Sequence, residues 1–586
     1  MSEDLLRPVI PQTQSHAVNR VRFARIRDVT LPIVRHRVSA KTYAPNSGLL
    51  YQRLARDAPN SAFPEGGSVV ALMISVYPLL MMSRFFTVLE GNRYIGHWIS
   101  LFAFLGFVSP TVINYSHYGL SWDPAYYLHN AVCMNHAIYH FGLQRISECL
   151  SSTAKGPIME FITLPWGSQG GSYEGIGLAF VGLALFIWLM VMATYLVCMR
   201  GGVPRITLLL AAISMCLIPF LKLTAGDMMT DTLLGWTVAL ALMLIPLEYN
   251  RSQKEFWPGV LRGLLWGFVI VVGVLSKVTF GFFVVLIGLS LLAIRWRRSG
   301  LKPLFGSLAG CLVAAIPAIL IWLVYGRNFV RFAILAAVDL AQFYAVPGMT
   351  SAGYLRRFFN GLGWGLIPLL LLLVLFVRGL LIEKQGRLVR LFPITIILGY
   401  LITASMSQNR DSRFTIPAMI GLPLCLAWTS SRSQNESFKP SLMLAGFLAV
   451  TLFSIPMVTR PEIAPIERTG ELLTTLSGGR PTVVVLATDG VLFNVETVEL
   501  ARQLGGEYLR PVRVETLVYF ESSKRSLEDA FDRIDKADYV LFLKPGNSFG
   551  PDWTMTRAKD YRGHCEKIGT LINAQISPDF DVFKIH

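Results

Sequence analysis

Four short stretches of the chain place ionisable side chains where they could do chemistry. SWDPAYYLHNA, residues 121–131, follows an apolar run and carries Asp123 ahead of a cluster of aromatics. A carboxylate so placed suits a general base for an acceptor hydroxyl, and equally a helix cap with Pro124 at the first helical position. In LKLTAGDMMTDTLLGWTVALAL, residues 221–242, Lys222, Asp227 and Asp231 gather at a hairpin between two apolar runs. Carboxylates so near hydrocarbon are costly and tend to face water. Asp227 and Asp231 are four apart and share one helix face, suited to orienting an acceptor or holding a divalent cation. In AKGPIMEFITLPWG, residues 154–167, Lys155 stands before the stiff Gly156-Pro157 turn, where it can meet a phosphate at headgroup depth or act as a snorkelling anchor. SQNRDSRFTIPA, residues 407–418, offers Arg410 and Arg413, whose guanidinium forks match phosphate oxygens or anchor the chain at the interface.

The elements that must position these residues are membrane spans. Of 586 residues, 53% are hydrophobic and 15% charged, against about 25% charged in ordinary soluble domains. Apolar runs long enough for a hydrocarbon core of about 30 Å lie near 96–115, 175–199, 206–222, 229–247, 258–276, 279–294, 304–325, 361–382, 391–407, 413–429 and 441–458. The run at 67–82 is short and reads as a re-entrant or interfacial segment. A polytopic α-helical membrane protein of about 11–13 spans is expected, with a large first extracytoplasmic loop and a small C-terminal α/β domain.

A net charge of +16 would suit nucleic acid, but the basic residues sit in connectors and in the first 66 residues, so no nucleic-acid partner is expected. Arg200 to Arg205, Arg251 to Arg262, the run from Arg295 to Lys302, and Lys384, Arg387 and Arg390 alternate with the spans and should all be cytoplasmic. This leaves the 116–174 loop and everything beyond about 459 facing outward. The expected regions are a basic cytoplasmic arm (1–66), a multi-span body (67–458) and an extracytoplasmic α/β domain (459–586), whose strand-length runs Val483 to Ala487 and Tyr539 to Leu543 alternate with helix-like stretches. Helical spacing of apolar residues in the first loop suggests amphipathic helices on the outer leaflet, and a second basic, aromatic outer loop is expected at about 326–360. Cys133 and Cys149 share the first loop and could pair in an oxidising compartment. The seven cysteines show no CxxC, and no metal cluster is indicated.

In order along 96–430, WDPAYYLHNA, AKGPIMEFI, DMMTDTLLGWTVALAL, GVLSKVTFGFFVVL and RFTIPA resemble the C-class integral-membrane glycosyltransferases, in particular the bacterial aminoarabinose transferases and protein mannosyltransferases. The resemblance implies inverting transfer of a hexosyl or pentosyl group from a polyprenyl-phosphate sugar to a glycan, glycolipid or protein acceptor. It assigns acceptor activation to Asp123 and contact with the lipid phosphate to Lys155. Two departures stand out: Pro124 where the family often has a second acidic residue, and Gly156-Pro157 where it has a double proline. Membrane lipids are the surroundings such a protein requires, and a bacterial cell inner membrane is the expected location. The competing readings are a lipid-linked-sugar flippase, for which two similar halves with matched broken helices would be expected, and a surface-polysaccharide polymerase or ligase, for which the long outer loop would come late.

Overall fold

The computed structural model describes residues 95–428 and 464–586, apart from short stretches at 109–110, 112–121, 141–148, 150–155, 168–172, 226–228, 251–253, 278, 335–348, 383–385, 408–409, 489, 491–492, 518–525, 545–551 and 573–575. The basic arm and the runs at 67–82 and 441–458 lie outside the described residues.

The chain is a multi-pass membrane protein. Among the described residues seven helices are long and apolar enough to cross a membrane, and one bent pair makes an eighth. Their order begins with α1 (Ile95–Ala103, ending in a π turn Phe104–Val108), then α2 (Trp122–His140), α3 (Ile158–Gly167) and α4 (Tyr173–Arg200). The expected span at 206–222 is the bent pair, α5 (Arg205–Leu217) and α6 (Pro219–Ala225), meeting at 69°. Pro219 cannot donate the hydrogen bond that would continue α5, which explains a break at that point. There follow α7 (Thr230–Asn250), α8 (Phe256–Ser276), α9 (Phe280–Ser299), α10 (Leu301–Ile334), α11 (Ser351–Leu362), α12 (Leu366–Ile382), α13 (Arg387–Met406) and α14 (Ile416–Ala427).

Helix α7 is the axis of the body. It is apolar on every face, the pattern of a helix enclosed by others, and all its residues from Thr230 to Glu248 are buried. Trp236 at its middle is fully buried against Phe107 of the π turn, with ring centroids 4.9 Å apart. Helices α8 and α10 are held together by small residues instead. Gly259, Gly263 and Gly267 recur every four residues, and a methyl group added at Gly263 would lie 1.9 Å from the Ser307 carbonyl oxygen. Gly306 and Gly310 answer from α10, and Ser307 Oγ donates to the Gly259 carbonyl at 3.1 Å. Close backbone approach of this kind holds helices together in lipid, where hydrophobic burial offers little.

The spans run alternately, and contacts tie the four basic connectors to one end of the bundle. Asn250 Nδ2 donates to the Gly201 carbonyl, Arg298 lies 4.1 Å over the Tyr249 ring, and Gly386 packs on the Tyr249 hydroxyl. The second outer loop differs from expectation: α10 continues to Ile334 and α11 begins at Ser351, so Arg327, Arg331, Arg356 and Arg357 are on helices.

Beyond the body lie α15 (Ala464–Ser477), β1 (Thr482–Leu486), α16 (Val495–Leu504), β2 (Val512–Thr516), α17 (Leu527–Asp535), β3 (Tyr539–Leu543), α18 (Asp552–Ile568), β4 (Gly569–Leu571) and β5 (Phe580–Ile585). The sheet order is β2-β1-β3-β5-β4; β1 pairs in parallel with β2 and β3, and β5 runs antiparallel to β3 and β4. Strand side chains alternate between faces. Val484, Leu486 and Leu541 pack under α15 and α16 with Leu473 and Val498, whereas Val485, Val540 and Phe542 pack under α17 and α18 with Ile534 and Tyr561. Asn494 caps α16 through the amides of Glu496 and Thr497.

Helix α16 also packs on α2 of the first long loop, and its Leu500 and Ala501 join the core of the membrane body. This changes the reading of α2. Ala125, Tyr127 and Leu128 are buried rather than laid on lipid, because the C-terminal domain covers the helix. The far end of α2 is stapled, since Cys133 and Cys149 form a disulfide with their Cα atoms 5.9 Å apart. Closing a loop of this length stabilises by about 3 kcal/mol through chain entropy. Thermal unfolding of the Cys133→Ser/Cys149→Ser double variant, run beside reduced and oxidised wild type, should therefore show a loss of that order, matched by reductant in the wild type and absent in the variant.

Candidate active site

Of the expected site residues, Asp231, Arg410 and Arg413 fall at the end of the bundle opposite the basic connectors, where the N-terminus of α7, the C-terminus of α8, α11, the C-terminus of α13 and the start of α14 converge. Asp231, in the first turn of α7, is 2% exposed. Its Oδ1 accepts from Lys277 Nζ at 2.6 Å, and Lys277 is the residue that ends α8. The Lys277 side chain is 27% exposed against 3% for Asp231, so the pair presents a cation to the surface and keeps the carboxylate behind it. The ammonium also lies 4.6 Å from the centre of the Phe414 ring, a favourable cation–π placement.

A second pair stands beside the first. Asp411 Oδ2 accepts from Arg413 Nε at 2.8 Å and Nη2 at 2.7 Å, and Oδ1 accepts the Arg413 amide at 2.9 Å, closing a short 3-10 turn (Ser412–Thr415) at the mouth of α14. Burial opposes ionisation of Asp411, but the adjoining guanidinium and amide of Arg413, with Lys277 farther off, outweigh it and hold the carboxyl below its ordinary range. Arg413 Nη1 also reaches the Met229 sulfur at 3.3 Å, fastening this turn to the start of α7.

The phosphate-matching forks expected at 407–418 are therefore engaged within the protein. Arg413 grips Asp411, and Arg410 donates to the Ser405 carbonyl at 3.0 Å and to the Met349 carbonyl, bracing α13 against the approach to α11. Ser351 Oγ bonds the same Ser405 carbonyl at 2.8 Å. Tyr354 of α11 is fully buried, and its hydroxyl has no hydrogen-bond partner among the described residues. Lys222 is exposed at the last turn of α6. Asp123 belongs to the first turn of α2. Asp227 and Lys155 lie outside the described residues.

The Gly156-Pro157 turn that follows Lys155 is described. Gly156 is buried against the end of α8, so close that an added Cβ would lie 2.0 Å from the Leu275 carbonyl oxygen. The Gly156-Pro157 turn thus sits on the residues just before Lys277. Among the described residues no group of three His, Cys, Asp or Glu side chains is arranged to hold a metal ion.

Sequence reasoning passed over Lys277, Asp411, Phe414 and Tyr354. The signal for Lys277 was available: a lysine between two long apolar runs, in the stretch GVLSKVTFGFFVVL, needs a carboxylate nearby, and Asp231 is a candidate.

No family model matches the chain, and no curated protein matches its sequence. Solved structures do resemble it. "ArnT from Cupriavidus metallidurans bound to Undecaprenyl phosphate" aligns with a TM-score of 0.51 at 12% identity, over 84% of this chain and 98% of that one. The apo oligosaccharyltransferase of Archaeoglobus fulgidus aligns more loosely, with a TM-score of 0.41 at 13% identity over 77% of this chain and 70% of that one. The chain therefore shares its fold with the Cupriavidus protein over most of the length of both.

Proposed function

We propose that this protein transfers a sugar from a polyprenyl-phosphate carrier to an acceptor hydroxyl or amine at the extracytoplasmic face of a bacterial inner membrane. The observation that carries the reading is the charged cluster of Asp231, Lys277, Asp411 and Arg413 set into one end of the bundle, with the Gly156-Pro157 turn of the first loop resting on the residues of α8 just before Lys277. A similar fold holds undecaprenyl phosphate in the Cupriavidus protein, which supports a lipid-phosphate donor here. The positive-inside rule puts the basic connectors in the cytoplasm and this cluster outside, where a lipid carrier supplies activated sugar.

The chemistry follows from the leaving group. The acceptor oxygen or nitrogen attacks the anomeric carbon as the bond from that carbon to the phosphate oxygen breaks; the acceptor proton passes to Asp123, and the polyprenyl phosphate departs with the bonding electrons. Attack opposite the phosphate inverts the anomeric centre. Charge grows on the phosphate in the transition state, and preorganised cations stabilise it there. Lys277 and Lys155 take that role, while Asp231 fixes the Lys277 ammonium and Arg410 and Arg413 brace the turn that carries Phe414.

The deciding experiment measures transfer and donor binding together for purified protein. Asp123→Asn keeps shape and capping ability but cannot accept a proton, so transfer should fall by about 10²- to 10⁴-fold with donor binding kept. Lys155→Ala should weaken donor binding instead. Wild-type transfer in Asp123→Asn would remove the base assignment, and failure of the wild type to transfer from any polyprenyl-phosphate sugar, with turnover of another donor, would overturn the reading.

A further inference from the structure

The C-terminal domain has two apolar cores of its own, one on each face of its sheet, yet α16 divides its side chains between that domain and the membrane body. Val498 belongs to the core that holds Val484, Leu486 and Leu541 of the sheet. Glu496, Leu500 and Leu504 recur every four residues and so line another stripe of the helix. That stripe serves the body. Leu500 and its neighbour Ala501 are fully buried in the apolar cluster that holds Ala125, Tyr127 and Leu128 of α2, and Leu504 packs against the same cluster. Glu496 heads the stripe: its Oε2 lies 3.5 Å from His129 Nδ1 of α2, and both side chains are 12% exposed. The other polar side chains of α16 engage one another, since Arg502 and Gln503 both donate to Glu499.

Leu500 and Ala501 belong to neither of the domain's own cores, so their burial stabilises the placement of α2 rather than the domain. Helix α2 packs in turn against α3, and the Gly156-Pro157 turn just ahead of α3 rests on Leu275, two residues before Lys277. A contiguous run of packed elements thus leads from the C-terminal domain to the charged cluster. Asp123 stands in the first turn of α2, two residues ahead of buried Ala125 and six ahead of His129. Six residues of helix span about 9 Å, so α16 grips α2 close to the residue assigned as base. The far half of α2 is held separately, by the disulfide at Cys133.

A general base must lie within hydrogen-bond reach of the proton it takes, and a helix on a long loop meets that demand only when packing fixes it. We propose that Glu496 and Leu500 of the C-terminal domain are positioning residues for sugar transfer, which hold Asp123 in place by fixing α2 against α3. The role rests on the reading of Asp123 as the acceptor base. It makes the C-terminal domain a working part of the enzyme rather than an appendage.

The test uses the full chain in detergent and compares the wild type, Leu500→Ala, Asp123→Asn and the double variant. Three quantities are read: hydrogen exchange of the amides of residues 125–131, the affinity and number of sites for undecaprenyl phosphate, and the transfer rate per site. In Leu500→Ala, exchange across 125–131 should quicken and transfer should fall about 10²-fold, the loss that goes with misplacement of about 1 Å. Affinity and site number should stay at the wild-type level. Because the effect runs through Asp123, Leu500→Ala should add no further loss in the Asp123→Asn background. Leu500→Met, of nearly the same volume, should recover most of the rate. A merely structural role predicts instead that rate and site number fall in proportion, which overturns the proposal. So do unchanged exchange in α2, wild-type transfer despite quickened exchange, or a full further loss in the Asp123→Asn background. Wild-type transfer in Asp123→Asn would remove the base and the positioning role together, whereas a slow Asp123→Asn beside a fully active Leu500→Ala removes the positioning role alone. Should Leu500→Ala fail to fold, Leu500→Val leaves a smaller gap at the same place and is read in the same cycle, with the same outcomes deciding.

Discussion

Replacing Lys277 by Gln is expected to reduce sugar transfer by two to three orders of magnitude, the loss usual when one preorganised stabiliser of developing charge is removed. The single variant mixes two effects. Asp231 is 2% exposed and has Lys277 as its ion-pair partner, so removing the lysine leaves a buried carboxylate uncompensated, at a cost of about 3–5 kcal/mol in stability. Asp231→Asn/Lys277→Gln removes the charge from both partners at once, and an amide pair of nearly the same shape can keep the hydrogen bond. The double variant should regain most of the lost stability while transfer stays low. Unfolding midpoints and transfer rates for the wild type, both single variants and the double variant form a cycle that separates the two effects. A double variant that recovers transfer along with stability would reduce the pair to a structural strut and remove Lys277 from the leaving-group role.

How much of this was legible in the sequence depended on the range of the interaction. Helix α7 and its acidic start could be read directly, because a carboxylate at the edge of an apolar run stands out and because an all-apolar helix reads as an enclosed one. The C-terminal sheet was legible for a similar local reason: five-residue apolar runs such as Val483 to Ala487 are too short for a span and the right length for a strand. Lys277 escaped because its partner lies 46 residues away, and a lysine at the end of a span ordinarily anchors at the interface. Asp411 was hidden between two arginines in SQNRDSRFTIPA, where the basic residues drew the reading and the acid that grips Arg413 did not.

Tertiary context also decided what pattern alone misread. The helical spacing in 116–174 gave a helix correctly, but apolar periodicity does not say whether protein or lipid covers the apolar face; here α16, more than 350 residues later in the chain, covers α2. The glycines at 259, 263 and 267 form a regular repeat visible in the sequence, yet the pattern names no partner until Gly306 and Gly310 of α10 are set against them. The ion pairs of Glu248 with Arg262 and Arg295 were least legible, since these arginines belong to connectors whose charge already had an explanation in membrane orientation.

Gly156 joins the first loop to the end of the bundle that carries Asp231 and Lys277, and Gly156→Ala should uncouple them. The new methyl carbon would stand 2.0 Å from the Leu275 carbonyl oxygen and 2.6 Å from its carbon, both backbone atoms, where an ordinary contact needs 3.4 Å or more. Neither atom can rotate away as a side chain would. Either the Gly156-Pro157 turn lifts from α8 by more than an ångström, or the last turn of α8 is displaced, and Lys277 is the next residue but one after Leu275. In both cases the Gly156-Pro157 turn and Lys277 lose their fixed relation, and misplacement of about 1 Å at a reacting centre costs about 10²-fold in rate. The matched control is Gly281→Ala on α9, which meets nothing within 4 Å and replaces a poor helix former by the best one, a gain of up to about 1 kcal/mol. Transfer should therefore fall about 10²-fold in Gly156→Ala and stay at the wild-type level in Gly281→Ala. Thermal unfolding reports whether the bundle itself remains folded in both. Wild-type transfer in a folded Gly156→Ala would show that the turn and the end of α8 need no fixed contact, and Lys155 would lose its place at the donor phosphate.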